Sequence, residues 1–229
     1  MSNKAPLVTV DDSAWLQAFR GITRSTDERT LVSGNVPSSG VGNSAPVVEF
    51  RYARVVASAL VLANMNSLVL DWAARLSVGG ANLNFFIVKQ LPVLPPDAYV
   101  ERAGCGATWV ELVVPRALEL TYAANELRPF AEDLGYEGPP FPWNEDRRHR
   151  LRCELDGIYA HMYGLNRSDL EWILDAAHPS ASFPSLKQHE LRSFGEYRTS
   201  RYVLEAFDQL ARGEAPSLSV VDEPVARER

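Results

Sequence analysis

Residues 53–77 read ARVVASALVLANMNSLVLDWAARLS, a stretch apolar on nearly every side and free of glycine and proline. A helix that is hydrophobic all round has to be surrounded by protein, so the stretch predicts one buried helix over Ala53–Ser77. Gly79-Gly80 ends it, and Leu83–Leu91 follows as an expected strand. The apolar run Val55–Leu70 is broken by Ser58, Asn64, Asn66 and Ser67. It falls short of the roughly 20 clean residues of a membrane span, so no membrane partner is expected.

Upstream of the helix, Leu7–Val10, Trp15–Thr23, Arg29–Val36 and Pro46–Phe50 are short runs rich in β-branched and aromatic residues. Turn-forming clusters separate them, including the loop Pro37–Asn43, and the runs read as strands. Downstream, prolines at 92, 95 and 96 forbid regular helix and interrupt ladder bonding. Beyond them the chain is helical. Trp109–Leu127 has helical spacing, with Pro115 expected to kink or restart it. Asn144 caps a helix with the stripe Leu151, Leu155, Ile158, Met162, closed by Gly164. Ser168 and Glu171 form a capping-box pattern for a helix reaching about Ala177, stopped by His178-Pro179. Glu196–Arg212 is the last helix, and Glu214–Arg229 a polar tail. The fold class expected is therefore α+β. A small mixed α/β domain over residues 1–96 carries the buried helix, and residues 97–229 form a mainly helical packing region.

The 229 residues hold 23 Lys plus Arg against 29 Asp plus Glu, a net charge of −6. A composition 46% hydrophobic and 23% charged is that of a globular chain, not a disordered one. Two cysteines, Cys105 and Cys153, cannot build a disulfide framework. The start lacks the shape of a signal peptide, so a cytoplasmic location is expected. The net charge hides an asymmetry. Residues 1–96 carry 8 basic and 6 acidic side chains, for +2, and residues 97–229 carry 15 and 23, for −8.

Catalytic patterns are missing. There is no G-x-S-x-G and no G-x-x-x-x-G-K-[ST], and the four histidines show no H-E-x-x-H spacing. His149 and His161 lie 12 positions apart, too far for a shared metal, and neither cysteine has a C-x-x-C partner. Gly40-Val41-Gly42 opens no helix and reads as a surface turn. In Glu137-Gly138-Pro139-Pro140-Phe141 a glycine stands where amino-methylating DNA enzymes need an Asn or Asp to hold a flipped base. No catalytic, metal or cofactor-binding residue is assigned, and a binding surface remains.

One segment is distinctive: ANMNSLVLD over 63–71, then VGGANLNFFIVKQLPVLPP over 78–96. It resembles the C-terminal target-recognition region of fused type II restriction–modification adenine-specific DNA methyltransferases, and is similar to the recognition domains of type I specificity subunits. Upstream, FRGITRSTDERT over 19–30 looks like the same family. So do LDGIYAHMYGL over 155–165 and EYRTSR over 196–201. The resemblance implies a specificity portion that binds double-stranded DNA and joins a methyltransferase domain or subunit. It implies no cofactor in this chain, S-adenosylmethionine belonging to the methyltransferase domain that such proteins carry ahead of this region.

Under that reading, cations neutralise phosphate and side chains reach base edges. Arginine suits guanine and asparagine suits adenine, each with two hydrogen bonds. The candidate DNA-binding residues are Arg24, Arg29, Asn35, Asn43, Arg51, Arg54, Gly79, Gly80, Asn82, Asn84 and Lys89. On a strand, Asn82 and Asn84 would share a face. Each has a structural rival. Arg24 and Arg29 bracket Asp27-Glu28 as potential ion pairs, Gly79-Gly80 serves equally as a helix cap, and Asn82 and Asn84 suit a turn. Asn64, Asn66 and Ser67 are expected to bond nearby loop backbone, because buried polar groups need partners. The acidic helical half is expected to pack on the recognition unit. A non-catalytic remnant or docking module is the alternative function. A deep pocket holding perturbed carboxylates or histidines would favour an independent enzyme.

Overall fold

A computed structural model describes residues 14–50, 54–174 and 183–216. The fold is α+β: a small three-stranded antiparallel sheet backed and extended by helices. Strand β1 (Trp15–Phe19) lies between β2 (Ser33–Pro37) and β3 (Val47–Val48). Gln17 faces Asn35 on one side and Val48 on the other. All five β1 residues are buried, including the polar Gln17. Its amide is satisfied from within, donating to Ser33 Oγ at 3.1 Å and accepting from Ser58 Oγ at 2.9 Å. The expected strand Leu7–Val10 lies outside the described residues.

The buried helix is two helices, α1 (Arg54–Met65) and α2 (Leu68–Ser77), which meet at 66°. Polar side chains at the joint supply the reason, since they compete for backbone groups that a continuous helix would use. Asn66 Nδ2 donates to the carbonyls of Leu62 and Ser33, both at 2.9 Å, and Asn66 Oδ1 accepts from Ser33 N. Ser67 takes extended backbone angles and caps α2, its hydroxyl accepting from Leu70 N. Asn64 accepts from Leu94 N and donates to Tyr163 Oη, holding the proline connector against the helical half. No single helix among the described residues is long and apolar enough to cross a membrane.

The strand expected over Leu83–Leu91 is a correction. Asn82 makes an isolated bridge with Ile22, and the chain then enters the short helix α3 (Phe85–Val88). Asn84 starts that helix, its side chain accepting from Ile87 N at 3.2 Å. A short apolar run fits strand or helix equally by pattern, and here the cap decides.

Helix α4 (Trp109–Thr121) begins in a capping box between Thr108 and Glu111 and runs unbroken through Pro115. A 3₁₀ turn at Asn125–Leu127 and helix α5 (Arg128–Asp133) follow. Helix α6 (Glu145–Met162) starts at the Asn144 cap and is followed by Gly164 at φ +69°. Helix α7 (Arg167–Leu174) is capped two residues earlier than expected. Asn166 and Asp169 exchange side-chain to backbone bonds, in place of Ser168 and Glu171. His178-Pro179 lies outside the described residues. Helices α8 (Pro184–Phe194) and α9 (Arg198–Ala211) follow among the described residues.

The core crosses the Pro92–Pro96 connector. Trp15 of β1 and Ala59, Leu60 and Ala63 of α1 are packed with Tyr99, Val113, Phe130, Ile158 and Tyr159 of the helical half. Trp15 meets Phe130 edge to face at 5.1 Å, and its indole donates to Asp133 at 2.8 Å. A second cluster joins Leu68 and Val69 of α2 to Leu170, Phe183, Val203 and Phe207. The acidic helices therefore pack on the α/β part, as the amphipathic stripes suggested.

Asp156 of α6 is buried and accepts from Leu68 N, at the first turn of α2, at 2.7 Å. Burial pushes its carboxyl up to about 7. The folded chain then holds a proton that the unfolded chain releases near pH 4, so between roughly pH 4 and 7 the folded state binds more protons. The contribution of Asp156 to stability is fully present below about pH 4 and is lost as the pH rises to about 7. Urea unfolding of Asp156→Asn should gain on the wild type between pH 5 and pH 8. A stability difference constant across that range would contradict the assignment.

Candidate nucleic-acid interface

Three loops meet at the end of the sheet, and backbone hydrogen bonds lace them together. Gly21 N donates to Ser44 O at 2.7 Å, and Phe19 N donates to Pro46 O at 3.0 Å. Thr23 N donates to Ala81 O, and Leu83 N donates to Gly21 O at 2.8 Å. Gly21 makes this approach feasible. A Cβ there would stand 3.2 Å from both Pro46 Cδ and Ser44 O.

The laced loops enclose an open groove of about 720 Å³. Asn43, Asn82 and Asn84 line it, with Ile22, Val41 and Phe85 supplying apolar walls. Asn43 and Asn82 are exposed and engaged in no side-chain hydrogen bond among the described residues. Asn84 is exposed but commits its Oδ1 to the α3 cap, which leaves its amide nitrogen for other use. Candidates separated by about 40 residues thus share one rim. They do so through loop docking, not through the shared strand face expected of Asn82 and Asn84.

The other candidates divide. Arg24 and Lys89 are exposed, and their side chains form no ion pair among the described residues. Gly79 and Gly80 are exposed after α2, with no atom within 4 Å of a Cβ built on either. The turn is therefore open, and any side chain would fit it. Arg29 instead works inside the fold: its Nε donates to the buried Asp71 at 2.9 Å and its Nη2 donates to the Asn66 carbonyl. It does not pair with Asp27 or Glu28. Asn35 is buried on β2, away from solvent. Arg51 and the side chain of Arg54 lie outside the described residues. Arg75, a further part of the positive charge of the front half, is also internal. It donates to the carbonyls of Ser25, Asp27 and Glu28 and lies over the Phe183 ring.

The groove also has an apolar rim that the sequence pattern did not mark. Ile22 is 62% exposed, Phe86 75% and Phe85 46%. The signal was present in the pair Phe85-Phe86, read as strand interior and in fact standing at the start of an exposed helical turn. Exposed apolar groups gathered beside polar ones mark an interaction surface. Among the described residues no three His, Cys, Asp or Glu side chains gather as metal ligands. No protein-family model, curated protein or solved structure matches the chain.

Proposed function

We propose that the chain is the DNA sequence-recognition portion of a restriction–modification adenine-specific DNA methyltransferase, acting with a methyltransferase domain or subunit that carries S-adenosylmethionine. One observation supports this reading above the rest: Asn43, Asn82 and Asn84 come from separate loops to line one open groove. The free amides of Asn43 and Asn82 present a donor and an acceptor together, complementary to the pair that adenine offers in the major groove, while Asn84 adds its amide nitrogen as a donor. Arg24 and Lys89 supply cations for phosphate, and their small number implies weak binding by this chain alone.

The test is an electrophoretic shift with a pool of random duplexes at low and moderate salt. Binding should fall steeply with salt. The Asn43→Ala and Asn82→Ala variants should each lose sequence preference worth about 1–3 kcal/mol while keeping most nonspecific affinity. Absence of any duplex binding at low salt, with and without a methyltransferase partner, would contradict the proposal. The exposed Ile22, Phe85 and Phe86 favour a second reading, a non-catalytic module that docks on a methyltransferase subunit through this rim. In that case Phe86→Ser abolishes docking and leaves DNA binding at its background level.

A further inference from the structure

A second cavity, of about 530 Å³, opens between the edge strand β2 and helices α1, α4, α6, α8 and α9. Its walls carry Arg29, Asn35, Arg148, His149, Arg152 and Asp156, together with Glu190 and Thr199. The three basic residues of α6 belong to one face, since Arg148 and Arg152 stand four residues apart and His149 and Arg152 three apart.

The polar atoms on these walls are unbalanced. Asn35 is 8% exposed, and its Nδ2 has no hydrogen-bond partner. Arg148 Nε is likewise buried and unpartnered, while its Nη2 donates to Leu120 O at 2.8 Å and its guanidinium lies over the Trp143 ring. His149 Nε2 is also buried and unpartnered, and in the neutral ring that burial favours it donates or accepts according to the tautomer. The nearest carboxylate to His149 Nε2 is Glu190 Oε1, at 3.9 Å, beyond hydrogen-bond reach. Arg152 is exposed, with no hydrogen bond or ion pair to any described residue. The carboxylates on the same walls are already engaged. Glu190 takes Thr199 N at 2.8 Å and Thr199 Oγ1 at 2.6 Å, Asp156 takes Leu68 N, and the exposed Glu28 lies 2.8 Å from His189 Nδ1. Native folds rarely leave several buried polar atoms orphaned on one surface, and each such group is costly. Donors in excess of acceptors call for a ligand rich in acceptors, and guanidinium groups match the oxygen pairs of phosphate and carboxylate. The volume lies in the range of small-molecule sites, about 300–1,000 Å³.

We infer that this cavity binds a small molecule carrying an oxyanion group, held by the Arg152 guanidinium, with Arg148 Nε and Asn35 Nδ2 donating to it. The site is separate from the asparagine-lined groove and does not depend on the DNA-binding proposal.

Calorimetric titration of the full chain at constant ionic strength tests it, with inorganic phosphate, adenosine monophosphate and succinate as probes and sodium chloride as the reference. Saturable binding of at least one probe is expected, and the probe preferred distinguishes phosphate from carboxylate recognition. Arg152→Ala should weaken that binding at least tenfold without altering the fold, because the side chain is exposed and unpaired. Arg128→Ala, on α5 and away from the cavity, should leave it unchanged. Asn35→Ala should weaken binding and leave the melting temperature of the unliganded chain the same or higher. Its Nδ2 has no partner in the fold, its Oδ1 has only a long contact of 3.4 Å with Ser58 Oγ, and that hydroxyl keeps its 2.9 Å bond to Gln17. No saturable heat from any of the three probes, or equal binding by wild type and Arg152→Ala, would overturn the inference. So would a loss of unliganded stability in Asn35→Ala with binding intact.

Discussion

Asp71→Ala should lower the melting temperature by roughly 10 °C, from a loss of about 3–5 kcal/mol. Asp71 is completely buried on α2 and gathers the segment that returns from β1 to β2. Its Oδ1 accepts from Thr30 N at 2.9 Å and Leu31 N at 2.7 Å, while Oδ2 accepts from Arg29 Nε at 2.9 Å. Arg75 Nη2 stands 3.6 Å from the same oxygen. Alanine would strand two backbone N–H groups and leave two largely buried guanidinium groups without their shared counter-charge. The cost comes from the charges left behind more than from the pair itself. Asp71→Asn keeps one acceptor oxygen for the backbone donors but turns an amide toward Arg29, so it should fall between wild type and alanine. Thermal unfolding of the three proteins checks the order, and a shift below about 2 °C for alanine would show that the network is dispensable.

Gly157→Val should destabilise the chain by about 3 kcal/mol, the upper part of the range for overpacking a close contact. Gly157 lies in the C-terminal third of α6, where α9 packs against it. A Cβ at this position would stand 2.9 Å from Ala206 Cβ, 3.0 Å from Phe207 N and 3.1 Å from Val203 O. Two of these neighbours are helix backbone and cannot rotate away, so the helices themselves must part. Gly157→Ala poses a sharper question, since helix propensity alone favours alanine by about 1 kcal/mol. The steric cost should exceed that gain, giving the stability order Gly, Ala, Val in denaturant unfolding. An alanine variant more stable than wild type would mean that the α6–α9 crossing adjusts at little cost.

Local signals were legible to the extent that their causes were local. The Asn144 cap, the stripe Leu151–Leu155–Ile158 and the stop at Gly164 all stand as expected, because caps and periodicity act over a few residues. The break between α1 and α2 was less legible. Asn66 and Ser67 have the composition of a joint, but a joint forms only where Ser33 is present to take the Asn66 amide. The same holds for Asn84, whose role as a helix start could not be separated from a place on a strand by the run Phe85–Val88 alone. In the candidate site, the residue types were visible and the grouping was not. Asn43, Asn82 and Asn84 meet only because the loops at Gly21, Ser44 and Ala81 hydrogen-bond to one another.

By itself the sequence determined the α+β class, a largely buried helical segment at the centre and a mainly helical second half. Hydrophobic pattern and breakers carry that information along the chain. The tertiary structure alone decided which charges are free. Arg24 and Arg29 stand five residues apart beside the same two acidic residues, yet one is exposed and the other is drawn inward by Asp71, 42 positions away. Electrostatic partners are chosen by distance in space and by burial, and neither quantity is written in local sequence.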